Sequence, residues 1–471
     1  MVLNYSIKDL HEGLTKKKFS SVDLVKESFA TIEKINPKVN ACITTRLKKD
    51  AIEEAKKCDK ERHDDSPILF GIPFVMKDSY ITKGIRTTAA SNVLGDFIPP
   101  YNATVYEKLR NAGAILIAKM NMDAWGHGGS TENTDFGPVC NPFDISRVAG
   151  GSGGGPAVAI ATGMAAFAIG EDTGGSIRNP ASWCNVTGLK VTYGRVSRYG
   201  CIAYASSFDT VGPTAKTAQD CAYVLETIAG RDQYDATCSQ NKVPSYSKQI
   251  TGDIHGFIIG IPKELFQKGL DNEIKDAVIS ATKTFECLGV QLKEVSMPLF
   301  DYGIPVYYLI APSETSSNLA RFDGVRYGND RTKFTEETMR RIMIGTYALS
   351  AGYYDAYYRK AQKGRTLFIH EYEKALSKCD ALIMPVMSTP PPVIGDLISD
   401  PLKNYLADAY TITQNPVGVP SLAFPCGFTK SILPIGAQLV GKMFSEDILL
   451  QLVYHYQKKT DWHTRKPYII H

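Results

Sequence analysis

The sequence lacks CxxC cysteine pairs, long basic clusters and long apolar runs, and each absence argues against a class of protein. Its ten cysteines are spaced singly, with no CxxC pair and no Cys/His spacing typical of a zinc site. We interpret them as free thiols in a reducing compartment. The net charge is only +4 and the basic residues are scattered, which argues against a nucleic-acid groove in this chain.

We also find no pattern in the sequence that is typical of a targeting signal or of a membrane-spanning segment. The first residues lack the basic and then apolar pattern of a signal peptide. The run of small residues from 156 to 170 is too short, and too rich in Gly and Thr, to span a bilayer. We therefore expect no membrane association and a cytoplasmic location, with an organelle left open.

What the sequence does contain is the composition of a globular enzyme. Of 471 residues, 44% are apolar and 22% are charged, which is enough apolar material to bury a large core. We predict a single α/β domain over residues 1–471 with a mixed central β-sheet. Its core with the catalytic residues is expected at about 65–215, and a helical excursion at about 235–380 is expected to contribute to the substrate pocket.

Alternating helix and strand signals support this fold class. The residues 20–23 form a capping box, and apolar residues at helical spacing follow until Pro37, where we predict that the helix ends. A more polar helix is predicted over 47–62. Short apolar runs predict buried strands at 72–76, 114–118 and 165–169.

Residues 150–156 read GGSGGGP. So many glycines are typical of a loop whose backbone lies close to another group. A phosphate-binding loop is one interpretation, but no GxxxxGK[ST] and no GxGxxG in the required context is present. A tight loop before a helix is another, since Pro156 suits the start of a helix. The third interpretation, part of an active site, depends on a second glycine turn downstream.

That second turn is GEDTGGSIRNP, which follows the strand-like run 165–169 and places Ser176 after two glycines. A serine on such a turn projects its hydroxyl beyond the sheet, and the glycines let backbone N–H groups converge on an oxyanion. Many glycine turns carry an idle serine, so the turn alone leaves both interpretations open.

A nucleophilic serine needs a base, and the eight histidines offer no clear one. Only His127 lies in a glycine-rich loop, and a structural role is the better interpretation for it. Lys77 closes the apolar run IPFVM, where lysine is rare. A buried lysine can act as a base because burial disfavours its charged form. Taken alone, Lys77 could equally reach solvent from the end of its strand.

Lys77 after GIPFVM, Ser152 in GGSGGG and Ser176 in DTGGSIR together resemble the amidase signature family, with Ser176 lying 24 residues after Ser152. The resemblance implies the amidase signature fold, a large mixed sheet flanked by helices on both faces. It implies a Ser-cisSer-Lys triad in which Ser176 is the nucleophile, Ser152 relays its proton to Lys77, and the peptide bond before Ser152 is cis. It places the oxyanion hole on backbone N–H groups of Thr173, Gly174, Gly175 and Ser176.

Longer stretches, among them 130–138, 191–213 and 340–363, resemble the A subunits of tRNA-dependent amidotransferases within that family. This implies a glutaminase that passes ammonia to a B subunit, in a heterotrimer completed by a C subunit, for the amidation of Glu-tRNA(Gln) or Asp-tRNA(Asn). No metal or cofactor is expected in this chain, while ATP and Mg are expected in the B subunit, which also carries most of the contact with the misacylated tRNA.

Glutamine carries both charges, so its pocket needs an anion and a cation. By resemblance Asp408 holds the amino group, Arg341 the carboxylate, and Tyr307 hydrogen-bonds the substrate, although Tyr308 lies next to it. Gly129 is the fourth expected substrate contact. Without the family, Arg341 and Asp408 would be interpreted as surface charges.

The sequence departs from the family pattern close to the triad: Gly153, Pro156 and Gly129 stand where serines are usual. The loss of the hydroxyl beside Ser152 is expected to weaken the hydrogen bonds that orient Lys77. Two alternatives stay open beside the glutaminase: a stand-alone amidase acting on another amide, and a catalytically impaired scaffold subunit.

Overall fold

Thirteen strands and fifteen α-helices are present in the computed structural model, which describes residues 2–266, 269–325 and 328–470. The strands within those residues are β1 (Cys42–Thr45), β2 (Pro73–Lys77), β3 (Ile115–Met120), β4 (Cys140–Asn141), β5 (Asp144–Val148), β6 (Phe167–Asp172), β7 (Thr187–Lys190), β8 (Thr210–Ala215), β9 (Ile258–Pro262), β10 (Gln291–Val295), β11 (Ala381–Pro385), β12 (Ser421–Phe428) and β13 (Pro434–Gly441).

The helices surround these strands. They are α1 (Ile7–Thr15), α2 (Ser21–Val39), α3 (Lys48–Glu61), α4 (Thr104–Asn111), α5 (Gly154–Ala161), α6 (Arg178–Trp183), α7 (Ala218–Ile228), α8 (Tyr246–Gln249), α9 (Asn272–Cys287), α10 (Gly303–Asn318), α11 (Glu336–Leu349), α12 (Lys360–Leu376), α13 (Pro401–Ala407), α14 (Gln414–Val417) and α15 (Glu446–Lys459). Within the described ranges, no helix is long and apolar enough to cross a membrane.

Eleven strands form one mixed sheet in the order β1-β3-β2-β6-β8-β7-β12-β13-β11-β9-β10. Strands β3, β2 and β6 are parallel, as are β10, β9 and β11, and antiparallel pairs join these two groups. The prediction of an α/β fold with a mixed sheet flanked by helices is confirmed.

Strand β2 is buried on both faces of the sheet, which explains its unbroken apolar sequence. Phe74 and Met76 belong to the apolar core on one face, and Val75 belongs to the core on the other. Phe74 stacks on Phe167 of β6 with ring centroids 5.2 Å apart. This packing fixes the relative position of the two strands that carry the candidate site.

Two predictions on local structure are wrong. Helix α2 does not end at Pro37 but continues to Val39, because Val39 is fully buried and the turn closes only at Asn40, which adopts a left-handed conformation and donates its N–H to Asn36. The segment 235–380 is not purely helical, since β9 and β10 extend one edge of the sheet.

The carboxyl ends of β2 and β6 lie at the same edge because the two strands are parallel and Met76 pairs with Ile169. Lys77 is the last residue of β2, and Asp172 the last of β6. Ligand sites of open α/β sheets form at such carboxyl ends.

Candidate active site

The turn that carries Ser176 joins β6 to α6 and is held by the Asp172 carboxylate. Asp172 accepts the N–H of Gly175 at 2.8 Å and that of Ile177 at 3.2 Å. Gly175 has a φ of +126°, a conformation that side chains with a Cβ rarely adopt. The turn therefore requires glycine at this position, and it leaves Ser176 with 6% of its surface exposed.

A buried ion pair holds Asp172 in turn. Arg178 reaches both oxygens of that carboxylate at 3.0 Å, and it also donates to the side chains of Gln414, Gln438 and Asn415. Burial raises the pKa of Asp172, but the charge and hydrogen bonds of Arg178, with smaller effects of Lys190 and Asn415, together hold that pKa well below its usual range. Asp172 is thus a carboxylate that anchors the serine turn.

Ser152 and Lys77 are in direct contact. Lys77 Nζ lies 2.7 Å from Ser152 Oγ, and both side chains are fully buried. The peptide bond between Gly151 and Ser152 is cis, as the family resemblance implied. Gly153 is the N-cap of α5, and Pro156 occupies the third residue of that helix rather than the first. This is still the first turn, where a helix tolerates a residue without an N–H.

The loops of Ser152 and Ser176 are joined through the backbone. Gly153 donates its N–H to the carbonyl of Ser176 at 3.2 Å. A Cβ placed on Gly153 would lie 2.6 Å from that same oxygen, so this packing has no room for a serine there. Within the described part of the chain, no hydrogen bond engages Ser176 Oγ, and its hydroxyl is free to meet a substrate.

Glu171 is a residue of the site that the sequence reasoning missed. Its Oε2 lies 2.6 Å from Lys77 Nζ, and the two side chains are 2% and 0% exposed. A buried lysine calls for a counter-charge. The signal that could have revealed the pair is the acidic residue at the end of the strand next to that of Lys77.

The predicted oxyanion donors lie on the turn before and at Ser176, but they differ in availability. The Gly175 N–H is engaged by Asp172, and in the described residues no hydrogen bond engages the N–H groups of Thr173, Gly174 and Ser176. Three of the four expected donors are therefore open to an oxyanion.

Asp408 lies near the turn, next to Gly129. A Cβ on Gly129 would be 3.0 Å from Asp408 Oδ1, and the Gly129 carbonyl accepts a hydrogen bond from Asn179 of α6 at 2.9 Å. Burial raises the pKa of Asp408 to about 6, against the opposing effect of the hydrogen bond from Tyr308. Asp408 is an anion at neutral pH.

Arg341 is buried and not on the surface of α11. Its Nη1 donates to the Tyr204 hydroxyl at 2.6 Å and its Nε to Glu337 at 2.8 Å. Its Nη2 has no hydrogen-bond partner among the described residues, so it can meet a carboxylate. The guanidinium lies 5.4 Å from the ring centroid of Tyr308.

The two adjacent tyrosines of α10 have different positions. Tyr308 donates to Asp408 at 2.8 Å, so that the Arg341 cation and the Asp408 anion flank one ring. Tyr307 packs on the serine turn, where a Cβ on Gly174 would lie 2.5 Å from its hydroxyl. Tyr308 and Tyr307 thus contact different parts of the site.

Asp123, a second residue that the sequence reasoning missed, braces the loops around Ser152. Its carboxylate accepts the N–H groups of Thr131 and Asn133 at 2.9 and 3.0 Å, and its own N–H donates to the carbonyl of Ser152 at 3.0 Å. Burial raises the pKa of Asp123 to about 7.

His127 has the structural role that the sequence favoured. It is fully buried, with its ring nitrogens 3.2 Å from Thr338 and 3.1 Å from Thr315. Burial holds the pKa of His127 well below its usual value. Nowhere in the described ranges do three or more His, Cys, Asp or Glu side chains group as a metal site would require.

A cavity of about 1100 Å³ lies apart from this site, and its lining includes none of Lys77, Ser152, Ser176, Arg341 and Asp408. Its lining is largely apolar, with Ile81, Phe97, Ile202 and Phe322 among its walls. The candidate site therefore lies at the carboxyl ends of β2 and β6. It combines a nucleophile, a possible base, the cation Arg341 and the anion Asp408.

Comparison with known proteins agrees with this geometry. The Amidase family matches residues 23–450. The A subunit of a glutamyl-tRNA(Gln) amidotransferase from Desulfatibacillum aliphaticivorans is 48% identical over 478 residues, which covers 98% of each chain. The corresponding subunit from Geotalea daltonii is 47% identical over 477 residues, again with 98% of each chain covered.

The chain is also similar to the solved structures of an amidotransferase A subunit and of an amidase. The chain superposes on the A subunit of the glutamyl-tRNA(Gln) amidotransferase of Thermotoga maritima with a TM-score of 0.82 and 37% identity, covering 99% of this chain and 96% of that one. Peptide amidase from Stenotrophomonas maltophilia gives a TM-score of 0.84 and 27% identity over 98% of both chains. The chain belongs to the amidase family.

Proposed function

We propose that this chain is the A subunit, the glutaminase, of a tRNA-dependent amidotransferase. The contact between Lys77 and Ser152, next to the turn of Ser176, is the observation that carries the amidase chemistry. The relatives with 45–48% identity carry the name of that subunit, which supports glutamine as the substrate.

The first half of the reaction forms an ester on Ser176. Its Oγ attacks the side-chain amide carbon of glutamine while its proton passes to Ser152, and the proton of Ser152 passes to Lys77 Nζ. The carbonyl oxygen becomes an oxyanion, which the open N–H groups of the turn stabilise. On collapse the C–N bond breaks, and the leaving nitrogen takes a proton back from Lys77 through Ser152, so that ammonia departs.

The second half repeats the relay with water. Lys77, neutral again, accepts the proton of water through Ser152 as the water oxygen attacks the glutamyl ester. The ester bond breaks, Ser176 recovers its proton, and glutamate leaves. One glutamine and one water thus give one glutamate and one ammonia.

The two ends of the amino-acid moiety bind on either side of Tyr308. Asp408 takes the α-ammonium and Arg341, through Nη2, the α-carboxylate. Gly129, which packs against Asp408, leaves space at the ammonium end, and Tyr307 borders the amide end of the substrate. An apolar amide offers neither charge, so this pocket favours glutamine over fatty or aryl amides.

The ammonia is passed to a partner. We assign this chain to a cytoplasmic heterotrimer with B and C subunits, in which the B subunit holds ATP, Mg and most of the misacylated tRNA. Glu-tRNA(Gln) is the acceptor that the names of the relatives support; Asp-tRNA(Asn) is the other.

The test is to measure ammonia and glutamate release by the purified chain alone, with the B and C subunits, and with ATP and Glu-tRNA(Gln) added as well. We expect slow hydrolysis by the chain alone and a large increase in the full mixture, with Gln-tRNA formed. Equal hydrolysis of simple amides in every mixture would identify a stand-alone amidase.

The scaffold alternative is separated by two variants. If Ser176→Ala and Lys77→Ala assemble the complex but leave amidation from glutamine unchanged, the chain is a scaffold. Amidation from free ammonium by these variants, with none from glutamine, supports the glutaminase.

A further inference from the structure

The buried carboxylate of Glu171 contacts the proposed base and takes no part in the mechanism given so far. Among the described residues, Lys77 Nζ has three oxygens within hydrogen-bond distance: Ser152 Oγ at 2.7 Å, Glu171 Oε2 at 2.6 Å and the Glu171 carbonyl at 3.3 Å. With the Lys77 side chain fully buried and that of Glu171 2% exposed, water cannot readily replace these contacts.

The number of hydrogens on the amine decides how these neighbours are used. A neutral amine has two N–H bonds and one lone pair, whereas an ammonium has three N–H bonds and no lone pair. To accept the proton of Ser152, Lys77 must direct its lone pair at Ser152 Oγ. Its two N–H bonds then have the two Glu171 oxygens as acceptors.

We infer that Glu171 is a positioning residue for Lys77. Its carboxylate and its carbonyl accept the two N–H bonds of the amine, which leaves the lone pair on Ser152 Oγ. This inference rests on the proposed amidase mechanism and adds a residue to it.

The charge of Glu171 has a second effect, on the ammonium that forms when the relay delivers its proton. An unpaired charge in a buried site is strongly unfavourable. The carboxylate at 2.6 Å compensates the new charge at the moment of attack on the amide. A glutamine at this position would still accept an N–H bond but would carry no charge.

Thr173 and Asp209 hold the other side of Glu171. The Thr173 hydroxyl contacts both Glu171 Oε1 and, at 2.6 Å, Asp209 Oδ1. A hydroxyl has one hydrogen, so one of these two carboxyl groups must carry a proton. Burial, and then the charge of Glu171, raise the pKa of Asp209 to about 7. With a proton on Asp209, the Thr173 hydroxyl accepts from Asp209 and donates its own hydrogen to Glu171 Oε1, the oxygen of Glu171 that does not contact Lys77.

Other titratable and charged groups around this cluster must be considered in any pH measurement. Burial raises the pKa values of Tyr80, Cys201 and Tyr204, which keeps these side chains neutral at neutral pH. Burial raises the pKa values of Asp123 and Asp209, and the charges of Lys77 and Arg198 lower them, respectively. Because Asp123 and Asp209 titrate near pH 7, the profile of a variant is compared with that of the wild type.

The test uses the assembled complex with Glu171→Gln. We expect kcat for glutamine hydrolysis to fall about tenfold or more, with KM within about twofold because the substrate contacts are untouched. The acid limb of the kcat profile should move to lower pH, because removal of the carboxylate disfavours the protonated amine. The control is Glu446→Gln, the same change at another fully buried carboxylate, which lies outside the contacts of Lys77, Ser152 and Ser176. Its kcat, KM and pH profile should equal those of the wild type.

The outcomes of these measurements separate a positioning role from a structural one. Wild-type kcat and profile in Glu171→Gln overturn the inference, and so does a lower kcat with an unmoved acid limb, which a structural role alone would give. If Glu171→Gln does not assemble, Glu171→Asp replaces it: a lower kcat with a displaced limb supports the role, and unchanged values overturn it. Absence of glutamine hydrolysis in the wild-type complex would refute the proposed function instead.

Discussion

Gly153 and Ser176 are joined by a backbone hydrogen bond 3.2 Å long, from the N–H of the first to the carbonyl of the second. The bond links the loop of the bridging serine to the turn of the nucleophile. The sequence suggested that a missing hydroxyl at Gly153 weakens the support of Lys77. In the structure Glu171 supports Lys77, and the absence of a side chain at Gly153 lets the two loops meet.

Replacing Gly153 by alanine should therefore lower activity. A Cβ at this position would lie 2.6 Å from the Ser176 carbonyl, so the loops must separate and the relay lengthens. We expect kcat to fall by about tenfold or more, since small displacements of reacting groups have large effects on rate. The steady-state kinetics of glutamine hydrolysis give this kcat.

The matched control is Gly95→Ala, where the closest contact of a new Cβ is 3.4 Å. This variant should keep the wild-type kcat. Unchanged kcat in Gly153→Ala would show that the loops tolerate separation and that the close contact has no catalytic consequence.

Asp408 should make glutamine binding depend on pH. Burial raises the pKa of Asp408 to about 6, so the carboxylate that binds the α-ammonium is lost as the pH falls through that value. We expect KM for glutamine to be constant above neutral pH and to rise by about tenfold per pH unit well below 6. Asp408→Asn should have a high KM that no longer changes over this range; an identical pH dependence in the variant would contradict the assignment.

Substitutions of the two tyrosines of α10 should affect different kinetic parameters, KM for Tyr308 and kcat for Tyr307. Tyr308→Phe removes the hydrogen bond to Asp408 and should raise KM by about threefold to tenfold, as expected if one hydrogen bond contributes about 1 kcal/mol. Tyr307→Phe changes a hydroxyl that packs on Gly174 and should act mainly on kcat. A larger rise in KM for Tyr307→Phe would favour Tyr307, as the family resemblance implies, for the substrate hydrogen bond.

Arg178 should matter for stability as well as for the serine turn. Arg178→Gln leaves the buried Asp172 without its counter-charge, which costs about 3–5 kcal/mol for comparable buried pairs. The free energy of unfolding, from urea titration, should fall by that order. Arg359→Gln breaks an exposed pair with Asp355 and should leave stability unchanged. Equal losses in the two variants would contradict the role of the buried pair.

The sequence predicted much of this architecture because its signals were local. The apolar runs that became β2, β3 and β6 were long enough to identify strands that are buried on both faces. The end of α2 was missed because burial of Val39, a tertiary effect, extends the helix past Pro37. Strand β9 is short and contains glycine and proline, so its local signal was weak.

The site was predictable where spacing along the chain carried information and not where contacts are distant in sequence. The resemblance identified Lys77, Ser152 and Ser176, and the first two are in contact. Glu171 was visible in the sequence, yet only the neighbouring parallel strand makes it the partner of Lys77. The burial of Arg341 depends on Tyr204 and Glu337, which no local pattern connects.

Mass spectrometry of the quenched complex can detect the glutamyl ester on Ser176 on which the proposed mechanism depends. The assembled complex is incubated with glutamine, stopped in acid, digested and analysed, with Ser176→Ala in parallel. We expect a glutamyl adduct on the peptide that contains Ser176 in the wild type and none in the variant. An adduct on another residue, or glutamine hydrolysis that persists in Ser176→Ala, would contradict it.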